Sequence, residues 1–216
     1  MRENHSSRLL SPERVRVSPP GLDGLLRIPP DAFGVVAFAH GSGSGRLSPR
    51  NNQVAEALGA SGIGTLLFDL LDEDEAGDRR NVFDIALLAQ RLVLAIDWIS
   101  RRGDIGHLPI GLFGASTGAA AALVAAAASA RVAAVVSRGG RPDLAAEALP
   151  RVRAPTLLIV GSLDTDVLDL NRQALARMRC ERELSIVPGA THLFEEPGTL
   201  QTVVELSRDW FRAHLA

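Results

Sequence analysis

Short apolar runs alternate with longer stretches of helical spacing along almost the whole chain. Residues 35–39, 65–68, 109–113, 132–136, 156–160 and 184–187 are apolar or β-branched runs of strand length, and they read as buried strands. Nearer the start, 14–17 and 22–28 flank Ser18-Pro19-Pro20-Gly21 and predict an antiparallel opening pair. Between the strands, 51–60, 82–101, 116–130, 143–149, 168–178 and 199–214 carry helical spacing or composition. Eight strands and six helices in this order predict an α/β fold. The central sheet is mostly parallel with an antiparallel N-terminal strand, and helices cover both faces in three layers. Ser11-Pro12 and Ser48-Pro49 mark turns. Asp72-Glu73-Asp74-Glu75 reads as a solvated loop, because four consecutive carboxylates diverge and nothing nearby pairs with them.

Length and charge narrow the partners. The 216 residues make a single domain, 1–216, with no repeat or linker and enough chain for a core without disulfides. A formal charge of -2 supplies no basic field for nucleic acid or an anionic membrane, so the expected partner is a small molecule, with the protein itself a monomer or homodimer. Residues 1–10 are too polar for a secretory segment, and no apolar run is long enough to span a bilayer; a cytoplasmic location is the expectation. The one cysteine, Cys180, excludes a disulfide framework within the chain. All 23 basic residues are arginine. A phosphate-loop lysine, a Schiff base and a Ser-Lys dyad are therefore ruled out, and proton transfer falls to His, Asp or Glu.

Gly114-Ala115-Ser116-Thr117-Gly118 lies between an apolar run and an alanine-rich helical stretch, the setting of a nucleophile elbow. A serine there needs a histidine to take its proton and a carboxylate to fix that histidine's tautomer. Asp164 follows the strand 156–160 and His192 follows the last strand, so both fall on loops at the carboxyl edge of the sheet, where Ser116 also lies. Asp166 and Asp169 compete with Asp164, and His40 competes with His192. Asp164 is nearest the strand end. His40-Gly41-Ser42-Gly43 has its own explanation as a glycine-rich loop after the strand 35–39, where backbone N–H groups would hold a developing oxyanion. The oxyanion donors would be the amides of Ser42 and Thr117, with His40 and Gly41 lining the substrate side. Gly41-Ser42-Gly43-Ser44-Gly45 as a phosphate cradle lacks the sixth-position glycine. Arg138 and Arg141 follow the strand 132–136 onto the same edge and could grip an anionic substituent, the competing reading being surface arginines bridging to Asp143, Glu147 or the acidic run.

Together, His40-Gly41-Ser42-Gly43, Gly114-Ala115-Ser116-Thr117-Gly118, Gly161-Ser162-Leu163-Asp164 and Ala190-Thr191-His192 resemble an α/β-hydrolase of the dienelactone-hydrolase-like branch, over roughly residue 33 to the C-terminus. Ser48-Pro49-Arg50-Asn51 and Ser137-Arg138-Gly139-Gly140-Arg141-Pro142 also resemble strings in bacterial proteins of this branch. The resemblance implies a serine esterase, with one departure: dienelactone hydrolases proper carry cysteine at the elbow, where this chain has Ser116. The expected activity is carboxylesterase-like cleavage of small soluble esters through an acyl-enzyme, with anionic esters favoured and no metal or cofactor. Residues 136–156 leave room for one short helix, hence no lid domain. A non-catalytic ligand-binding or regulatory module and an acyltransferase are the alternatives that would use the same residues.

Overall fold

The computed structural model of the chain describes residues 11–216; residues 1–10, among them His5 and the polar N-terminal stretch, lie outside the described residues. One eight-stranded sheet runs in the order β1-β2-β4-β3-β5-β6-β7-β8. The strands are β1 (Glu13–Val17), β2 (Leu22–Arg27), β3 (Gly34–Ala39), β4 (Ile63–Phe68), β5 (Ile110–Ala115), β6 (Val132–Arg138), β7 (Thr156–Gly161) and β8 (Arg182–Val187). β2 pairs antiparallel with both β1 and β4, and all remaining pairings are parallel. The eight expected strands and the antiparallel opening pair are all present.

Every residue of β3, β4, β5 and β7 is buried, the consequence of helices on both faces. On one face lie α1 (Pro49–Ala60) and α7 (Thr199–Leu215), packed on Val36, Phe38, Phe113 and Val136. On the other lie α4 (Ile85–Arg101), α5 (Thr117–Ala128) and α6 (Thr165–Arg177), packed on Val35, Ala37, Leu112 and Val135. α5 is buried on nearly every side because its alanines let it lie close against both β5 and α4. The two outer strands differ from the inner ones: β1 carries Glu13, Arg14 and Arg16 facing solvent, and β8 exposes Arg182 and Glu183.

The order of connections decides where a site can form. From β3 the chain crosses outward to β4 and then returns past β3 to β5. The loops after β3 and β5 therefore leave neighbouring strands toward opposite faces, through α1 and α5, and a crevice opens between them at the carboxyl edge.

Three expectations change. The acidic run is no open loop. Asp72 accepts from the Glu75 N–H and Glu75 accepts from the Asp72 N–H, a reciprocal cap that starts a four-residue helix, α2 (Glu73–Ala76). Glu75 is also paired with Arg91, sixteen residues on, a partner that local sequence could not show. The expected helix 82–101 is split into α3 (Arg79–Val82) and α4, because the Asp84 carboxylate caps the Leu87 N–H and sets a fresh start. The expected helix 143–149 is instead two 3-10 turns, Pro142–Ala145 and Leu149–Arg151, each with a proline in its first two positions, where no N–H is called on. With only these turns between β6 and β7, no inserted lid covers the crevice at that point.

α7 docks through Phe211, fully buried against β5 where Gly111 leaves room; a β-carbon at Gly111 would sit 2.7 Å from the Phe211 ring. Phe211→Ala is expected to lower unfolding stability by about 3–5 kcal/mol. The denaturant midpoint reads this directly, and a loss under about 1 kcal/mol would show that α7 is not held by that ring.

Candidate active site

β5 runs into α5 through a turn that few sequences can make. Ser116 has φ 52° and ψ −121°, a left-handed conformation that costs a non-glycine residue on the order of 1–3 kcal/mol. The flanking glycines are required by contact. A β-carbon on Gly114 would strike the backbone of Ala119, and one on Gly118 would strike the carbonyl oxygens of Ala39 and His40. The strain is held by hydrogen bonds to the loop after β6: the Ser116 N–H donates to the Arg138 carbonyl at 3.2 Å, and the Ser116 carbonyl accepts from the Arg141 N–H at 3.1 Å. Asn171 on α6 in turn donates to the Gly140 carbonyl at 2.9 Å.

Ser116, His192 and Asp164 come together in sequence-remote order. His192 Nε2 lies 3.3 Å from Ser116 Oγ, and His192 Nδ1 lies 2.7 Å from Asp164 Oδ2. Asp164 occupies the cap position of α6, yet its carboxylate makes no capping bond and faces the imidazole instead. Asp169 is paired with Arg172, and Asp166 lies in the first turn of α6. With the carboxylate on Nδ1, the proton sits there and Nε2 is left to accept from the serine hydroxyl.

The loop bearing His192 is fastened at both ends. Glu196 accepts from the Thr191 N–H at 3.1 Å and its hydroxyl at 2.6 Å, and the Thr191 hydroxyl holds the Glu196 carboxyl below the usual carboxylate range. Phe194, at φ 56°, is buried in the core under α7, and Glu195 pairs with Arg50 at the start of α1. None of these supports was visible in the motifs. The Thr-x-x-x-x-Glu spacing, as a possible local hydrogen bond, was the only signal.

The loop after β3 is fixed by His40. Nε2 of His40 accepts from the Leu70 N–H at 3.0 Å, and Nδ1 lies 3.0 Å from the Gly41 carbonyl, so the ring is neutral with its proton on Nδ1. Burial pushes the His40 imidazole below its ordinary value, against smaller opposing effects of the Gly41 carbonyl and Asp69. Asp69 accepts from the Arg46 N–H at 2.7 Å and pairs with the Arg46 guanidinium, while Asn52 donates to the Arg46 and Ser48 carbonyls. Gly41 passes against Ser116, its would-be β-carbon 3.1 Å from the serine Cβ. The Ser42 N–H donates to Thr117 Oγ1 at 3.1 Å.

The two candidate arginines differ. Arg141 forks onto Asp143 with bonds of 2.9 and 2.8 Å. Arg138 is 8% exposed, on the α1 side of the sheet, with Nε and Nη1 buried and unpartnered among the described residues. Burial, with Arg50 adding like-charge repulsion, pushes its guanidinium down to about 10, still protonated at neutral pH. A cleft of about 770 Å³ opens from His40–Ser44 and Thr117 toward β2 and α2. Its charged wall carries Asp23, Asp69, Asp72, Glu73 and Asp74 against Arg16 and Arg46. No group of three His, Cys, Asp or Glu side chains placed to hold a metal occurs among the described residues, and none of their helices is long and apolar enough to cross a membrane.

A profile of the Dienelactone hydrolase family matches residues 66–210, from β4 through most of α7, a span that includes Ser116, Asp164 and His192. The chain belongs to the dienelactone hydrolase family. A solved structure of a dienelactone hydrolase from Anabaena variabilis is similar to it at 52% identity, with a TM-score of 0.94 over 97% of this chain and 100% of that one. Est1E from Butyrivibrio proteoclasticus shares the fold, with a TM-score of 0.79 over 94% of this chain at 15% identity. A Mycobacterium tuberculosis protein provisionally named a phosphoribosyl transferase is 56% identical over 209 residues. This dienelactone hydrolase family member spans 95% of its own length in that match but only 47% of the relative's.

His40 gives a pH test of the oxyanion loop. Its folded value is lowered, so as pH falls the unfolded chain takes up the proton first, and stability is lost as pH drops below about 6.5. His40→Gln, whose carbonyl can still accept from Leu70, is expected to flatten that part of the profile of melting midpoint against pH. An unchanged slope would mean that His40 does not carry it.

Proposed function

We propose that this chain is a serine carboxylesterase of small soluble esters. Ser116 attacks the ester carbonyl and His192 takes its proton. Asp164 fixes the imidazole and stabilises its charged form, the alcohol leaves with the proton from His192, and water releases the acid from the acyl-enzyme. The observation that carries the reading is the Asp164–His192–Ser116 ladder, ending on a serine held in a strained elbow. Membership of a hydrolase family supports the same chemistry. The His192 side chain is 37% exposed, which favours water as the second nucleophile over a sequestered alcohol acceptor. The open crevice suits soluble substrates. The backbone amide of Thr117, at the start of α5, is the expected oxyanion donor; the Ser42 amide, the other donor expected from the sequence, is taken up by Thr117 Oγ1, and His40 and Gly41 shape the wall beside them. The phosphoribosyl transferase name belongs to a protein about twice as long, and a triad of this kind is machinery for acyl transfer.

The finer part of the proposal concerns charge. The charged lining of the cleft beyond the oxyanion loop is mainly carboxylate, which repels an anion, whereas Arg138 is a buried cation without a counter-charge among the described residues, next to the Gly139 turn against His192. An anionic substituent is therefore read by Arg138, on the His192 side, and Arg141 serves to hold Asp143.

Intact mass after exposure to a small fluorophosphonate tests the nucleophile without a guessed substrate. One adduct is expected on the parent and none on Ser116→Ala or His192→Ala, and Asp164→Asn should lower kcat on an activated ester by about 10⁴-fold. No adduct on folded parent protein would refute the esterase reading. For Arg138→Met, the ratio of kcat/KM on anionic and neutral esters is expected to fall about 10–100-fold. The melting midpoint should hold or rise, because a buried charge without a partner has been removed. An unchanged ratio would assign Arg138 a purely structural place.

A further inference from the structure

Thr117 contributes more to the crevice than its backbone. It is the first residue of α5, directly after Ser116, 5% exposed and part of the cleft wall. Its N–H lies at a helix start, where no intrahelical carbonyl can reach it, and no acceptor takes it among the described residues. Its Oγ1 accepts from the Ser42 N–H at 3.1 Å, and the proton on that hydroxyl is given to no acceptor among the described residues. The Ser42 amide is thus already committed, seventy-five residues away in sequence, to the oxygen of the side chain that adjoins the nucleophile.

This arrangement has a chemical consequence. A hydroxyl that accepts from an amide becomes a better donor, by roughly 10–30% in bond strength. Nitrogen and Oγ1 of one threonine are three bonds apart, so their two protons can converge on a single oxygen. The Ser42 N–H fixes the side-chain rotamer that makes this possible, and His40 and Asp69 fix the loop that carries Ser42.

We infer that the Thr117 side-chain hydroxyl is itself an oxyanion donor, so that the developing alkoxide is held by the N–H and the O–H of one residue while Ser42 acts one bond back as a positioning residue. The inference rests on the serine esterase reading. When Ser116 Oγ bonds to the carbonyl carbon and its proton passes to His192 Nε2, the carbonyl π pair moves onto oxygen. Both Thr117 groups donate to that oxygen without releasing a proton. When the alkoxide collapses, the pair returns, the alcohol leaves with the proton from His192, and the Thr117 hydroxyl keeps its bond from Ser42 throughout.

The test compares the full chain with Thr117→Val, Thr117→Ala and Thr117→Ser on a neutral activated ester, with a trifluoromethyl ketone as a mimic of the tetrahedral state. Thr117→Val and Thr117→Ala should lose about 100-fold in kcat with KM within about twofold, and Thr117→Ser should return to within about fivefold of the parent. The inhibition constant of the ketone should weaken in step with kcat/KM across the series, while melting midpoints report folding; if one of the two hydroxyl-free variants does not fold, the other carries the comparison. A kcat for the hydroxyl-free variants equal to or above the parent's would show that Thr117 only occupies the Ser42 N–H until substrate arrives, and would overturn the inference. So would a loss that Thr117→Ser fails to restore, which marks a packing role. If the parent itself neither reacts with fluorophosphonate nor cleaves the ester, the esterase reading fails and the inference falls with it; an active parent with indifferent Thr117 variants removes the inference alone.

Discussion

The backbone of Ser116 is the constraint from which the rest of the crevice follows. A left-handed serine between a strand and a helix is tolerable only where neighbouring backbone packs too tightly for any other path, and here the packing is reciprocal. Gly118 brings α5 against the end of β3, and Gly114 brings β5 against the first turn of α5. The loop after β6 closes the turn with hydrogen bonds to both the N–H and the carbonyl of Ser116. The Ser116 turn, the glycine-rich loop after β3 and the Arg138–Arg141 loop are therefore one mechanical unit. Movement of either loop is resisted by its contacts with the Ser116 turn between them.

Around that unit the supports divide by chemistry. Neutral groups of His40, Asn52, Ser42 and Thr117 hold the loop after β3, together with the Asp69 carboxylate, whose charge is met by Arg46. Carboxylates hold the base side, through Asp164 on the ring and Glu196 on the adjoining threonine. In the proposed reaction positive charge would develop on His192, beside the Asp164 carboxylate, while the one carboxylate on the other side is already neutralised by Arg46.

The fold was legible because inner strands of a parallel sheet must be apolar throughout, and residues 35–39 or 156–160 admit no other reading. The convergence of Ser116, Asp164 and His192 on one sheet edge was legible because strand ends and glycine turns announce loops, and each of the three follows a strand. What escaped were pairings between distant side chains and competition at helix starts. Arg91 reaching Glu75, and the reciprocal cap of Asp72, turned an apparent acidic loop into a helix. Pro142 and Pro150 flank the stretch that looked like one helix and sit in the first two positions of the two 3-10 turns found there. Arg138 and Arg141 were indistinguishable in the string, since only the positions of Asp143 and α1 decide that one is paired and the other is not. The bond between Ser42 and Thr117 is likewise invisible in the string, because it joins an amide to a side chain seventy-five residues away.

The charged outer strands bear on how the protein meets other copies of itself. A sheet edge leaves a row of amide and carbonyl groups unpaired, which another strand can extend. Glu13, Arg14 and Arg16 line one border and Arg182 and Glu183 the other, and a strand arriving there would have to strip water from guanidinium and carboxylate groups. Both borders therefore resist templated growth into longer ribbons, and the sheet can stay eight strands wide at the concentrations a cell maintains.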